Sequence, residues 1–371
     1  MCSRPTTAPD FLLSRVDGSV RTQGSIDQFS DPEEAVSALR GGKVEMVVGA
    51  LPFLRSDPAA LTVPRHIIRE SGPLEPHSYY RMGPGSQLHA QVSGLDPRPE
   101  EHVERIRSAV ATIQRTRLEK VVLARAVDIA FDPPVDPLLV AARLIDHSTH
   151  RDGFIADLSP AGGRFEGSML VGASPEVLIR RQGTRVSAYP LAGSAPRHPD
   201  RDRDALVCHQ LQTSAKDLGE HAFVVEHMRQ ALSPLCEDLR IPRHPELMKT
   251  SEMWHLATPI EGTLRDSRTT ALELALAVHP TPAICGTPTE AAEEIIRTAE
   301  TARGFYAGAV GWCDAQGDGQ YMVAIRCAEV YRGGHAARAW AGGGIVADSD
   351  PQAEFEETSA KLRTIMTALG L

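Results

Sequence analysis

The final stretch of the chain places two carboxylates on a face that should be apolar. If residues 351–369 form a helix, about 100° per residue aligns its apolar side chains in one stripe. That stripe consists of Phe355, Leu362, Ile365, Met366 and Leu369. Glu354 and Glu357 continue it, whereas Glu356 points the other way and suits solvent. Because buried carboxylates are costly unless neutralised, we expect a cation beside them, either a divalent metal or Lys361.

A second acidic pair repeats the three-residue spacing. Asp217 and Glu220 flank the apolar face of the helix predicted after Lys216. Two acidic pairs on inward faces suit a hard cation that takes oxygen ligands and keeps several waters, which describes Mg²⁺. For either pair taken singly, the alternative is an exposed helix edge with ordinary solvated charges.

The elements that would position these pairs alternate between helices and strands. Periodicity predicts helices at 30–40, 98–117, 137–147, 200–235, 269–278, 288–300 and 351–369. Strands are predicted at 43–53, 120–129, 153–188, 256–264, 305–314, 320–331 and 336–346, and a loop at 71–99. Hairpins mixed with helices indicate an α+β fold with large antiparallel sheets.

Composition and charge narrow the functional class. The chain has 371 residues, 42% of them apolar, and a net charge of −9 without a basic stripe, which argues against nucleic-acid partners. No stretch approaches the roughly 20 apolar residues that span a membrane, and no secretory signal is visible, so we expect a cytoplasmic protein. Six cysteines without a CxxC pair indicate reduced core residues rather than a metal or disulfide set.

Nine motifs, taken in order, resemble those of the chorismate-binding enzyme family. They are LEKVVLARA (118–126), GASPEVL (172–178), YPLAGSAPR (189–197), KDLGEHAFVVEHM (216–228), HLATPIEGTL (255–264), HPTPAICGTP (279–288), GFYAGAVGW (304–312), VAIRCA (323–328) and AGGGIVADSDPQAEFEETSAKL (341–362). The match covers about two-thirds of the chain. The resemblance implies antiparallel sheets packed as a sandwich with helices outside, residues 96–371 as the catalytic region and residues 1–95 completing the fold.

Within the family, the sequence looks most like the isochorismate synthase branch. Lys120 occupies the position at which that branch and the salicylate synthases carry a water-activating lysine, and the amine-using branches lack this base. Ala257 stands where amine-using and lyase relatives often have a bulkier or hydroxylated residue. One departure is Gly343, where the family usually has alanine.

The resemblance also implies roles for individual residues. Lys120 would be the base that takes a proton from water, and Glu176 the acid that protonates the departing hydroxyl. The implied cofactor is Mg²⁺, bound directly by Glu220 and Glu357, with Asp217 and Glu354 next to it. The residues implied to surround the substrate are Arg326, Tyr306, Gly193, Ser194, His255, Ala257, Thr258, Gly286, Gly342, Gly344 and Lys361.

Three alternatives stay open at this point. A salicylate synthase would also eliminate pyruvate, which Ala257 argues against. An anthranilate or aminodeoxychorismate synthase subunit would need an amidotransferase partner, which Lys120 argues against. A catalytically inactive relative would only bind ligand. We expect a monomeric enzyme that acts on chorismate, without nucleic acid, membrane or an amidotransferase partner.

Overall fold

The computed structural model describes residues 8–76, 80 and 88–371. Its strands are β1 (Phe11–Arg15), β2 (Gly18–Phe29), β3 (Met46–Leu51), β4 (Ala60–Glu70), β5 (Ala90–Asp96), β6 (Lys120–Phe131), β7 (Gly153–Asp157), β8 (Met169–Gly172), β9 (Val177–Gln182), β10 (Arg185–Tyr189), β11 (Leu191–Pro196), β12 (Cys236–Arg240), β13 (Glu246–Lys249), β14 (Met253–Ala257), β15 (Ile260–Leu264), β16 (Gly286–Thr287), β17 (Ala309–Asp314), β18 (Gly319–Val323), β19 (Cys327–Val330) and β20 (Ala336–Ile345). Its α-helices are α1 (Pro32–Arg40), α2 (Pro99–Ile113), α3 (Pro137–His147), α4 (Arg201–Thr213), α5 (Ala215–Leu232), α6 (Ala271–Val278), α7 (Thr289–Ala299) and α8 (Pro351–Leu369). No described helix is long and apolar enough to cross a membrane.

Seventeen strands form one sheet in which every pairing is antiparallel. From one edge the order is β12, β15, β10, β9, β18, β17, β3, β4, β2, β1, β7, β8, β19, β20 and β6. Both β5 and β16 pair with β6. A separate three-stranded sheet contains β11, β14 and β13. The predicted α+β class with large antiparallel sheets is therefore confirmed.

The large sheet has a buried cluster on each face. Phe11 and Leu13 of β1 belong to the larger cluster, and Leu12 between them belongs to the smaller one. This alternation follows from the two-residue period of a strand. The smaller cluster is covered from outside by helices, because Leu144 of α3 and Ile365 of α8 pack into it.

Several elements differ from the sequence prediction. The predicted loop at 71–99 contains strand β5, and the predicted helix at 200–235 is two helices, because Ser214 caps a new one by accepting a hydrogen bond from Asp217 N–H. The predicted strand 320–331 is broken before β19, where Arg326 has φ 52°. The predicted helices at 137–147 and 351–369 have the observed bounds.

Candidate active site

A cavity of about 70 Å³ lies where β6, β11, α5, β20 and α8 approach one another. Ten residues singled out from the sequence line it: Glu176, Gly193, Ser194, Glu220, His255, Tyr306, Arg326, Gly342, Gly344 and Lys361. Ligand pockets usually measure about 300–1,000 Å³, so this cavity is small for a ligand site.

Lys120 lies directly behind the cavity wall. Its side chain is fully buried, and its Nζ lies 3.0 Å from Oε1 of Glu220. The angle does not suit a hydrogen bond, and within the described part of the chain Nζ has no hydrogen-bond acceptor. A side chain at Gly344 would collide with this pair, since an added Cβ would lie 2.8 Å from Glu220 Cδ and 3.0 Å from Lys120 Cε. The absence of a side chain at Gly344 therefore allows Lys120 and Glu220 to pack against β20.

Glu176 follows the loop after β8 and lies inside the cavity. Burial raises the pKa of Glu176 to about 7, although a hydrogen bond from Leu191 N–H and the charges of Lys120, Lys361 and Arg326 act in the opposite direction. The hydrogen bond from Leu191 to Glu176 Oε1 measures 3.3 Å. The burial that raises this pKa favours the protonated carboxyl group, which is what a proton donor requires.

Glu357 projects from α8 towards β11. It accepts a hydrogen bond from Ser194 Oγ at 2.9 Å, and Lys361 Nζ lies 2.5 Å from its Oε1. Lys361 also donates to Gly342 O at 3.0 Å. Burial alone would raise the pKa of Glu357, but Lys361, Lys216 and Ser194 outweigh it, and the pKa is lowered.

Glu354, one turn earlier, is paired with a lysine of α5. Lys216 Nζ lies 2.6 Å from Glu354 Oε1, which also accepts from Ser349 Oγ at 2.8 Å. Burial, with a contribution from the charge of Glu357, raises the pKa of Glu354 to about 7. Burial also raises the pKa of Asp217, and the negative charges of Glu220 and Glu357 add to this rise. The two acidic pairs therefore act on one another.

The donor set fits Mg²⁺, although the described residues contain no ready-made group of three or more His, Cys, Asp or Glu side chains for a metal. Mg²⁺ normally takes only one or two carboxylates and keeps its waters. Asp217, Glu220, Glu354 and Glu357 bring four carboxylates, against the cations Lys120, Lys216, Lys361 and Arg326.

Arg326 and Tyr306 form another part of the wall. Arg326 Nη1 donates to Thr364 Oγ1 at 3.1 Å, which fixes one side of the guanidinium. The ring of Tyr306 stacks on Trp340 with centroids 5.5 Å apart and an interplanar angle of 9°. Burial lowers the pKa of His255 well below its usual value, so the ring is neutral, and its Nε2 has no hydrogen-bond partner among the described residues.

Thr258 is held outside the cavity lining by His221. His221 Nδ1 lies 3.0 Å from Ala192 O, and Nε2 lies 2.7 Å from Thr258 Oγ1. Because a carbonyl can only accept, Nδ1 carries the proton, and Nε2 accepts from the Thr258 hydroxyl. His221 therefore fixes Thr258 relative to strand β11, whose residues Ala192 and Gly193 line the cavity.

The structure does not bring every predicted residue into the cavity lining. Ala257 is fully buried and pairs with Leu191 in the three-stranded sheet. Gly286 has φ 149° and lies against the backbone of Lys120, where an added Cβ would overlap Lys120 O. A glycine is needed at position 286 because the two strands approach closely there, and not to leave room beside a ligand. Three predicted residues lie behind the lining and contact it: Lys120, Asp217 and Glu357. Glu354 lies outside the lining and is paired with Lys216.

The sequence reasoning did not assign Lys216, His221 and Trp340 to the site. Lys216 and His221 stand inside the motif at 216–228, but periodicity does not show that they reach Glu354 and Thr258. Trp340 precedes the glycines of β20 and lines the cavity. The sequence signal that could have placed Trp340 at the site is its aromatic side chain close to a run of glycines.

Comparisons with known proteins identify the family of the chain. A family model described as "Chorismate binding enzyme" matches residues 77–370. A "Putative isochorismate synthase MenF" of Mycobacterium tuberculosis is 46% identical over 366 residues, covering 98% of this chain and 96% of that protein. Isochorismate synthase DhbC of Bacillus subtilis is 43% identical and covers 88% of this chain and 81% of its own. The crystal structure of a "putative 2,3-dihydroxybenzoate-specific isochorismate synthase, DhbC" from Bacillus anthracis has a TM-score of 0.89 at 36% identity, covering 100% of this chain and 98% of that one.

Proposed function

The chain belongs to the chorismate-binding enzymes, and from that premise we propose that it isomerises chorismate to isochorismate. Relatives that carry the name isochorismate synthase align along most of its length. The observation that carries the proposal is that Glu176 lines the cavity, while Lys120 lies directly behind its wall and is paired with the lining residue Glu220. Lys120 is buried with no acceptor for its ammonium group among the described residues, and the pKa of Glu176 is raised to about 7.

The reaction exchanges one hydroxyl group for another across an allylic double bond. Water adds to one ring carbon and gives its proton to Lys120. The hydroxyl on the other carbon takes a proton from Glu176 and departs as water, so atoms and charges balance. Lys120 accepts a proton only as the neutral amine. The raised pKa of Glu176 supplies the protonated acid.

Glu220 and Glu357 would hold Mg²⁺, with Asp217 and Glu354 next to it. The bound ion would supply positive charge that holds the ring carboxylate of the substrate. Lys216 and Lys361 already neutralise part of the acidic cluster. They therefore limit the charge that has to be compensated when the site is empty of metal.

Arg326, Tyr306 and His255 would hold the other end of the substrate. A guanidinium fork suits the carboxylate of the enolpyruvyl group. The neutral His255 presents an unpaired Nε2 in the same wall. Because water is the nucleophile, the enzyme needs no amidotransferase to deliver ammonia, and we propose that it acts as a monomer.

A product analysis tests this proposal. Purified enzyme incubated with chorismate and Mg²⁺ should give a chorismate–isochorismate mixture by NMR, and the same ratio should be reached starting from isochorismate. Accumulation of salicylate and pyruvate above the spontaneous decay of isochorismate would instead identify a salicylate synthase. Formation of anthranilate with added ammonia, and of nothing without it, would contradict the role of Lys120.

A further inference from the structure

Arg125 connects strand β6 to helix α8 outside the cavity. Its side chain is almost fully buried. Nε donates to Thr358 Oγ1 at 3.0 Å, and Nη2 donates to Ser359 Oγ at 2.6 Å. The guanidinium carbon lies 4.4 Å from the ring centroid of Phe355, so three residues of one helix contact a single side chain.

Keeping a guanidinium at this place has a free-energy cost. Burial lowers the pKa of Arg125 to about 10, so the group is still charged at neutral pH. The neighbouring His102 of α2 is neutral, because burial and the charges of Arg125 and Arg105 lower its pKa to about 4. A hydrophobic residue would pack here without the desolvation cost. What arginine adds is a planar fork that fixes two acceptors at once.

The contacts of Arg125 fall on a different face of α8 from the active-site residues. At about 100° per residue, Lys361 and Glu354 lie within roughly 60° of Glu357 around the helix axis. The residues that touch Arg125 lie roughly 100–160° from Glu357. Arg125 therefore holds the helix from another side and opposes rotation about its axis. With side chains about 5–6 Å from that axis, a 20° turn would move the carboxylate of Glu357 by about 2 Å.

We propose that Arg125 is a positioning residue that sets the rotation of α8, and thereby the placement of Glu354, Glu357 and Lys361 opposite Lys120. The inference rests on the proposed function insofar as these carboxylates hold Mg²⁺. Arg125 connects the base to the metal ligands because Lys120 lies on the same strand, five residues earlier. It touches neither substrate nor metal.

The test compares Arg125→Met with Arg143→Met. Arg143 also donates to α8, at Ala368 O near the other end of the helix, so its loss reports on general loosening. Mg²⁺ binding is measured by calorimetry without substrate, and the Mg²⁺ dependence of turnover is measured separately. Arg125→Met should weaken Mg²⁺ binding by about 10- to 100-fold, the range for residues that orient metal ligands, whereas Arg143→Met should stay near wild type.

Removing the acceptors should reproduce the effect. Thr358→Val with Ser359→Ala keeps Arg125 but removes both hydroxyls. This double variant should lose about as much Mg²⁺ affinity as Arg125→Met, and adding Arg125→Met to it should cost little more, because both changes break one interaction. Fully additive losses would contradict the proposal.

The remaining outcomes separate this inference from the proposed function. Unchanged Mg²⁺ affinity in Arg125→Met, or an equal loss in Arg143→Met, overturns the positioning role. A wild-type enzyme that binds Mg²⁺ but forms no isochorismate overturns the proposed reaction alone. A wild-type enzyme that binds no Mg²⁺ overturns the proposed metal site and the positioning role that depends on it, and the product analysis then decides the reaction separately.

Discussion

Two adjacent glycines of β20 offer a matched pair of substitutions beside the active site. At Gly344, an added Cβ would lie 2.8 Å from Glu220 Cδ, whereas carbon atoms normally approach to about 3.5–4.0 Å. Glu220 must therefore retreat by about 1 Å. At Gly343, the nearest atoms are Thr358 Cγ2 at 3.4 Å and Glu354 Oε2 at 3.5 Å, which is ordinary contact.

The two variants should therefore behave differently. A displacement of about 1 Å in a group that orients the reaction can cost about 100-fold in rate, so Gly344→Ala should lower kcat/KM by about 100-fold, equivalent to about 2.7 kcal/mol. Gly343→Ala should retain activity, and it should unfold at the same or a slightly higher temperature because alanine restricts the unfolded chain.

The assay is isochorismate formation followed by chromatography, with thermal melts recorded by circular dichroism. Both variants should fold, because overpacking at Gly344 costs about 1–3 kcal/mol. If the activity of Gly344→Ala stays within about threefold of wild type, displacement of Glu220 does not control the reaction. A loss of activity in Gly343→Ala as large as that in Gly344→Ala would lead to the same conclusion, since the collision with Glu220 would then not be the cause.

Further expectations concern the proposed base, metal ligand and acid. Lys120→Ala should abolish turnover but leave chorismate binding, measured by calorimetry, largely intact, because Arg326 and the metal ligands are unchanged. Equal losses of affinity and turnover would contradict the assignment of Lys120 as the base. Glu357→Gln should raise the Mg²⁺ concentration needed for half-maximal activity at least about tenfold. The same substitution at the exposed Glu356 should leave that concentration unchanged. Equal effects of the two substitutions would contradict the assignment of Glu357 as a metal ligand. Glu176 has its pKa raised to about 7 in the folded chain, so its stabilising contribution is present at low pH and is lost as pH rises to about 7. In urea titrations, the unfolding free energy of the wild type should fall by about 2–3 kcal/mol relative to that of Glu176→Gln between pH 5 and pH 8. If the unfolding free energies of the two proteins change in parallel with pH, the raised pKa of Glu176 is contradicted.

Helical periodicity carried most of what the sequence revealed correctly about the fold. The stripe of α8 predicted its bounds and placed Glu354 and Glu357 inwards, and Glu354 is indeed buried. Strands β1 and β2 were not predicted, because their stability comes from pairing with each other and with distant strands such as β7, which leaves little local signal. Strand β5 was hidden in a segment rich in proline and glycine.

For the candidate site, residue types were easier to predict than partners. The acidic pairs could be found from their spacing, but the lysine that faces each carboxylate lies on another element or one turn away. The break at Arg326 depends on a left-handed backbone conformation that a side-chain pattern does not encode. Ala257 was expected beside the substrate, yet in the structure strand pairing buries it beneath the cavity wall.

The central claim is that one site adds water to chorismate and expels the original hydroxyl with the help of Lys120 and Glu176. The most direct measurement is the reaction of chorismate and Mg²⁺ in water enriched with oxygen-18, with the products identified by mass spectrometry and NMR. For the wild-type enzyme we expect little salicylate, and isochorismate that carries the label in its new hydroxyl group. The Lys120→Ala variant should give no product. Unlabelled isochorismate, or salicylate and pyruvate as the main products, would contradict the central claim.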